Sequence, residues 1–422
     1  MRAAFFTLGC KVNQYETDAV KAQFAGNGFD IVDFEDNADV YIINSCTVTG
    51  TGDKKTRKIL RRAKKRNPEA VVVLCGCFPQ AFPDKAALIS EADIVMGSKN
   101  RGDLLGAVLS CITEPSRNRL INISSYEELE SFESLAVSHS FSSRARAFVK
   151  IQDGCQQNCA YCIIPKARGP FRSKPLEVFT SELDALAASG YKEIVLVGVN
   201  LSSYGVDLGI SLLDAVKIAC NTKGIPRVRL GSLEPELLTD RDILEMSALP
   251  NLCPSFHLSL QSGCDSTLRR MRRRYDTAQY RRIVDSLRAA FSGCAITTDI
   301  MAGFPGETAE EFSESTSFVE QIGFAKAHIF EYSKRSGTLA AEMSGQIPPD
   351  EKSRRSRILT DITEKSSADF KKSMIGRQIG VLFEHEISSG LWEGYSENYT
   401  RAVVESSEYL RGKILTIEYR GD

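Results

Sequence analysis

Three cysteines stand in one short segment, Cys155-Gln-Gln-Asn-Cys159-Ala-Tyr-Cys162. Thiolates this close, following the strand-like run AFVKI, can ligate three irons of a [4Fe–4S] cluster and leave the fourth iron open. An open iron can bind and reduce a substrate. A ferredoxin would supply a fourth cysteine ligand, and a zinc ribbon would show paired Cys-x-x-Cys motifs; the segment has neither. Cys10, Cys46 and Cys77 each fall just past another strand-like run, AAFFTL, VYIIN and AVVVLC. The carboxyl ends of a parallel sheet border the crevice where ligands bind, so three cysteines far apart in sequence can converge there. Cys75 competes for the third place. Cys111, Cys220, Cys253, Cys264 and Cys294 read as buried small residues.

The elements that must position these thiols follow from periodicity. Up to residue 112, short apolar runs alternate with amphipathic ones. The helix from Asn13 has capping-box spacing to Glu16, a basic helix covers Lys54 to Arg66, and further helices follow Pro79 and Gly102. Such a βα series predicts a mostly parallel, Rossmann-like sheet covered on both faces. Residues 113–141, poor in apolar runs and rich in Ser and Glu, read as a linker. Over 142–372 six candidate strands recur: AFVKI, EIVLVG, RVRL, FHLSL, AITTDIM and AHIFEY. Six βα units fit an open (β/α)6 barrel, with chemistry at the strand tips by extension from closed barrels. The tips carry Cys155, Gly198 with Asn200, Ser232 with Glu234, Gln261 with Ser262, and Gly303 with Glu307; Asp299 lies nearby. Ser232, Glu234, Gln261 and Asp299 are placed to hydrogen-bond a cofactor or substrate. After a helical stretch from Pro349, residues 373–422 read as a small all-β module.

Composition bounds the class. The 422 residues are 42% hydrophobic and 25% charged, with a net charge of -1, twelve cysteines and four histidines. This is an ordinary globular composition of two or three domains. The opening apolar run, Ala3 to Leu8, is too short for a signal h-region, and no run reaches the ~20 residues of a membrane span. Reduced thiols or metal ligands in the cytoplasm are therefore expected rather than a disulfide framework. Nine basic residues crowd Lys54 to Arg66, and Arg269, Arg270, Arg272, Arg273 and Arg274 form a second patch. Near-neutral net charge with two local basic patches points to oriented RNA docking.

The Cys155/Cys159/Cys162 loop resembles that of the radical S-adenosylmethionine (SAM) superfamily. The resemblance implies that the open iron chelates SAM and that reductive cleavage yields a 5′-deoxyadenosyl radical. It also implies that Tyr161 lies beside the adenine. TLGCKVNQYET, INSCTVT and LCGCFPQ resemble the cysteine blocks of the methylthiotransferase family, as DGCQQNCAYCIIPKARGPFRSK, RLGSLEPELL, HLSLQSG, RRMRRRY, GFPGET and YSKRSGT resemble other blocks. This implies a second [4Fe–4S] cluster on Cys10, Cys46 and Cys77, the last preferred over Cys75 for its Gly-Cys-x-x-Gln context. The C-terminal module resembles the TRAM domain, an OB-like RNA-binding barrel.

The implied reaction replaces a C–H hydrogen by a methylthio group, with SAM as methyl donor and radical source. Lys11-Val12-Asn13 resembles the branch that acts on N6-threonylcarbamoyladenosine at position 37 of the tRNA anticodon loop. Isopentenyladenosine in tRNA and an aspartate of a ribosomal protein are the alternative substrates within the family. A non-catalytic iron–sulfur RNA-binding protein is the alternative from another class. The expected partners are tRNA and an electron donor such as flavodoxin or ferredoxin, with the sulfur donor unassigned. A monomer with no membrane partner is expected.

Overall fold

The structure is a computed structural model and describes residues 1–114, 119–126, 131–135 and 145–421. The N-terminal sheet comprises β1 (Arg2–Thr7), β2 (Asp30–Val32), β3 (Val40–Ser45), β4 (Val71–Gly76), β5 (Ile94–Met96) and β6 (Leu120–Asn122). All pair in parallel, in the order β2-β1-β3-β4-β5-β6. Every residue of β3 is buried, as a strand covered on both faces requires. On one face Val20 and Phe24 of α1 (Lys11–Gly26) meet Phe5, Val40 and Ile42. On the other, Ile59, Leu60 and Ala63 of α2 (Gly50–Arg66) pack on Tyr41, Ile43 and Leu74. The short α3 (Cys77–Ala81) and α4 (Pro83–Ala87) share the α2 side, and α5 (Leu104–Thr113) shares the α1 side.

Three local expectations change. Asn13 and Glu16 form no capping box: α1 begins at Lys11, with Cys10 at its N-cap, and both residues are fully buried. The helix expected after Pro79 starts at Cys77 and breaks before Pro83, whose ring begins a new turn. Within the stretch expected as a linker, Leu120–Asn122 add an edge strand and Glu133 pairs with buried Arg101. A three-residue strand is too short for periodicity to register.

The central domain has six parallel strands in one open curve. β7 (Arg146–Lys150) leads to a short hairpin, β8 (Gln152–Asp153) with β9 (Arg172–Ser173), that flanks the cysteine loop and α6 (Ile164–Arg168). Then come α7 (Leu176–Ala188), β10 (Glu193–Val197), α8 (Leu212–Asn221) and β11 (Arg227–Leu230), which continues past Gly231 as β12 (Ser232–Leu233). α9 (Asp240–Ser247), β13 (Ser255–Leu258), α10 (Asp265–Arg270), α11 (Thr277–Ala290), β14 (Ala295–Ala302), α12 (Ala309–Ile322) and β15 (Lys326–Glu331) complete it. The strands run β7-β10-β11/β12-β13-β14-β15. Alternate residues such as Val149, Leu196, Val228, Phe256 and Ile300 join the helices in one apolar core.

After α13 (Leu339–Glu342), the long α14 (Pro349–Met374) leads to β16 (Gln378–Ser388), β17 (Leu391–Ser396), β18 (Arg401–Glu405) and β19 (Ile414–Glu418). These form an antiparallel sheet ordered β18-β17-β16-β19, with its two outer strands unjoined among the described residues. The β17–β18 turn caps the barrel from below. Arg229 stacks on Tyr399 at 3.6 Å, pairs with Glu193 and donates to the Glu397 carbonyl at 2.7 Å. No helix of the described residues is long and apolar enough to cross a membrane.

Candidate active site between two cysteine triplets

The first triplet hangs on a turn that only glycine permits. Gly154 has φ +76°, and a Cβ there would lie 1.7 Å from the Pro170 carbonyl oxygen. The loop is then fixed by Cys155 N donating to Gly169 O and Cys162 N to Cys159 O, both at 3.0 Å. The three thiols are electrostatic neighbours. Burial pushes the Cys155 thiol up to about 11 and raises Cys159 and Cys162 as well. Opposing this, Arg273 donates from Nη1 to Cys159 Sγ at 3.2 Å, and Asn200 Nδ2 lies 3.9 Å from Cys155 Sγ. Arg273 is itself held by Glu234.

The second triplet is gathered by the N-terminal sheet. Cys10 caps α1, Cys46 follows β3, and Cys77 opens α3 behind Gly76. Gly76 has φ +99°, and a Cβ there would meet Asn44 Oδ1 at 2.4 Å. The Asn13 side chain forms the hub. Its Nδ2 donates to Leu8 O and Ser45 O at 2.8 and 3.1 Å, which turns Oδ1 towards Cys10 Sγ at 3.8 Å and Cys77 Sγ at 3.9 Å. Cys46 Sγ would lie 3.3 Å from a Cβ built on Gly9, beside the same amide. Burial pushes the Cys77 thiol up to about 12. Cys75 takes no part: its thiol donates to Ile43 O at 3.7 Å, within the sheet's α1-side core.

One residue joins the two sites. Arg168 ends the helix that follows Cys162, and its Nε donates to Cys77 Sγ at 3.2 Å. Its other edge meets Glu16 Oε2 at 3.0 Å and Asn13 Oδ1 at 2.5 Å. Lys150 bridges Glu16 at 2.7 Å and Asp153 at 2.6 Å; Arg101 meets Glu16 at 2.9 Å and Arg172 meets Asp153 at 3.2 Å. Burial alone would raise both carboxyls, yet the surrounding cations hold Glu16 and Asp153 below the usual carboxylate range. Lys150, Arg101, Arg168 and Arg172 thus surround Glu16 and Asp153, with Glu133 beside Arg101.

This donor chemistry fits the implied clusters. No group of three His, Cys, Asp or Glu among the described residues holds a single metal ion. Thiolates that bind separate irons of one cluster need a wider triangle, and each triplet carries an arginine N–H directed at sulfur. Buried acceptors without partners among the described residues, Asn200 Oδ1, Glu236 Oε2 and Gln261 Oε1, leave places for a ligand's donors.

The other expected residues divide. Tyr161 packs edge-on to Phe304 at 6.4 Å in an apolar patch with Met271 and Met301. Glu234 serves Arg273, and Gln261 sits at a barrel tip with φ +67°. Ser232 and Asp299 line the inner face instead: Ser232 is in register with His257, whose Nε2 lies 3.3 Å from Asp299 Oδ2. Glu307 is structural, paired with Arg355 at 2.7 Å and accepting from Gly303 N at 3.1 Å. The second basic patch is partly internal, since Arg273 is in the site and Arg270 pairs with Glu311. In α2, Arg61, Arg62, Lys64 and Arg66 bind acidic neighbours, leaving Lys54, Lys55, Arg57, Lys58 and Lys65 on the surface. Asn13, Glu16 and Arg168 are site residues that the sequence does not single out; its signals for them are the TLGCKVNQYET block around Cys10 and, for Arg168, closeness to Cys162.

A family model described as the uncharacterized protein family UPF0004 matches residues 2–97, and one described as the radical SAM superfamily matches residues 149–319. The chain is 36% identical over 426 residues to a Bacillus subtilis protein named threonylcarbamoyladenosine tRNA methylthiotransferase MtaB, covering 98% of this chain and 93% of the relative. It is also 36% identical over 385 residues to an Acidothermus cellulolyticus protein named tRNA-2-methylthio-N(6)-dimethylallyladenosine synthase, covering 89% and 76%. In fold it is similar to the radical SAM methyltransferase TsrM of Kitasatospora setae, with a TM-score of 0.58 at 13% identity over 81% of this chain and 77% of that one. With relatives matched across both cysteine-bearing domains, the chain belongs to the methylthiotransferase family of radical SAM enzymes.

Proposed function

We propose that the chain converts N6-threonylcarbamoyladenosine at tRNA position 37 to its 2-methylthio derivative, using SAM and two [4Fe–4S] clusters. The observation that carries this reading is the pair of cysteine triplets joined through Arg168, in a chain aligned nearly end to end with a relative of that name. Cys155, Cys159 and Cys162 hold one cluster; Cys10, Cys46 and Cys77 hold the other. When bound, the clusters supply the electron that cleaves SAM and a site for the sulfur to be transferred.

The chain's own residues position and shield. Arg273 and Asn200 direct N–H groups at the first triplet, as Arg168 does at the second. The free acceptors of Asn200, Glu236 and Gln261 suit an ammonium group such as that of SAM. Tyr161 and Phe304 offer an apolar wall to its adenine, while Glu234 acts through Arg273. Ser232 and Asp299 face the substrate. Residues 1–112 serve sulfur, 142–372 the radical step, and 373–422, as a TRAM module, RNA.

The anticodon loop docks against the exposed cations at the start of α2. That helix abuts the barrel's mouth through Gly50 N donating to Ser333 Oγ at 3.1 Å and Asp53 pairing with Arg335 at 2.8 Å. The enzyme works as a monomer in the cytoplasm, taking electrons from a flavodoxin or ferredoxin, with no membrane partner. The Acidothermus relative supports a second reading with isopentenyladenosine as substrate.

Anaerobic reconstitution with reductant, SAM and tRNA tests the proposal. It expects 5′-deoxyadenosine and a methylthiolated threonylcarbamoyladenosine; intact clusters that never cleave SAM would overturn the enzyme reading. Methylthio-isopentenyladenosine as the product would select the second reading. Iron counting on Cys77→Ala and Cys75→Ala tests the ligand choice, which expects loss of one cluster from the first variant alone.

A further inference from the structure

The inner face of the barrel presents a lysine that binds no acceptor among the described residues. Side chains alternate across a strand, and here the alternation separates two environments. Val149, Leu196 and Phe256 are sealed in the outer core, whereas Phe148, His257 and Asp299 on the inner face keep solvent access. Solvent thus reaches the lumen that these residues line, and Tyr399 stacks on Arg229 below it.

The N-terminal domain inserts the first turn of α1 into this lumen. Val12 is buried against Phe148, Val195, Val197 and Val199. Lys11, the preceding residue, keeps solvent access, and its charge lies near Arg146, Arg229 and Glu193 on one wall and His328 on the opposite wall. The two arginines are committed: Arg146 binds Glu384 and Arg229 binds Glu193. Lys11 makes no hydrogen bond or ion pair among the described residues. An exposed ammonium beside two committed arginines, with no acceptor among the described residues, is a ready partner for an incoming anion. Cys10 is its chain neighbour, so a base presented to the second triplet brings its substituent within reach of this ammonium.

We propose that Lys11 is a specificity-determining residue that binds the carboxylate on the N6 side arm of the substrate adenosine within the barrel lumen. The assignment rests on the threonylcarbamoyladenosine reading and deepens it. An isopentenyl arm carries no charge and would leave Lys11 unpaired, whereas the threonyl arm ends in a carboxylate. The base enters by leaving its stack, as enzymes acting on a base require.

Anticodon stem-loops carrying threonylcarbamoyladenosine, its methyl ester, or plain adenosine test this with wild-type protein, Lys11→Met and Lys11→Arg. Turnover of the acid by wild-type protein tests the underlying function separately. The expected result is that wild-type protein binds the acid roughly 10- to 100-fold more tightly than the ester, as a charged hydrogen bond is worth. Lys11→Met should abolish that preference and Lys11→Arg restore most of it, with iron content unchanged in both. Wild-type turnover with equal binding of acid and ester overturns the Lys11 assignment alone, as does an undiminished preference in Lys11→Met. If Lys11→Met loses iron, the acid-versus-ester comparison in wild-type protein decides. Absence of wild-type turnover on the acid overturns the substrate reading and this assignment together.

Discussion

Arg168 and Arg273 hold matching stations, each buried, each 3.2 Å from one thiol sulfur, and each braced by a carboxylate. Hydrogen bonds to cluster sulfurs tune reduction potential, and outer-shell partners fix ligand orientation. Arg273→Met should therefore shift the midpoint potential of the first cluster and slow 5′-deoxyadenosine formation. Arg168→Met should alter only the second cluster's signal, with SAM cleavage retained and methylthiolation lost. Electron paramagnetic resonance with product analysis checks both; identical effects of the two substitutions would refute the division. Arg168→Met also leaves Glu16 short of a buried partner, so stability should fall by about 3–5 kcal/mol. Arg168→Lys, which keeps the charge but not the fork, should recover part of that loss.

At the scale of the element, α1 and α2 show opposite fates of polar residues. Polar residues of α1 turn inward: Asn13 and Glu16, one helical turn apart on one face, are fully buried against the barrel. Those of α2 surround the stripe of Thr56, Ile59, Leu60 and Ala63 and stay outside. The cations of α2 still differ among themselves. Neutralising Lys54, Lys55 and Lys58 should weaken tRNA binding for all sequences and lower the salt-dependence slope by roughly 1 for each phosphate no longer neutralised. Arg61→Ala, whose partner is Glu91, should leave that slope unchanged and cost less than about 1 kcal/mol of stability. Binding titrations across salt concentrations distinguish the two classes.

For the whole molecule, the N-terminal sheet and the barrel are joined by buried charge. Glu16 and Asp153 are held ionised by Lys150, Arg168 and their neighbours. Because their folded pKa values are depressed, this stabilisation is complete above the unfolded values, roughly pH 4. It disappears as pH falls through the folded values. Glu16→Gln should be less stable than wild type by about 3–5 kcal/mol at neutral pH, and the gap should shrink as pH falls from 5 towards 3. Urea midpoints measured across that range check it. A constant gap would mean that Glu16 contributes shape rather than charge.

Legibility followed the range over which each interaction acts. The Cys155 loop spans eight residues, and three thiols on one loop have their chemistry set by local geometry. The order of strands and helices along the chain was equally readable, because a parallel strand covered on both faces must be a continuous apolar run. Asn13, Glu16 and Arg168 were illegible for the converse reason. Their partners lie 155 and 152 residues away in the Asn13–Arg168 and Glu16–Arg168 contacts, and a polar residue reads as exposed until another domain covers it. Capping-box spacing places Asn13 and Glu16 on one face of a helix, but spacing alone does not say whether that face meets water or a barrel. By itself the sequence determined the cysteine spacing, the βα order and the family. Only the tertiary structure decided that Arg168, on the helix after the first triplet, binds a thiol of the second and that the first turn of α1 packs inside the barrel, because desolvation depends on what packs above a residue rather than on its neighbours along the chain.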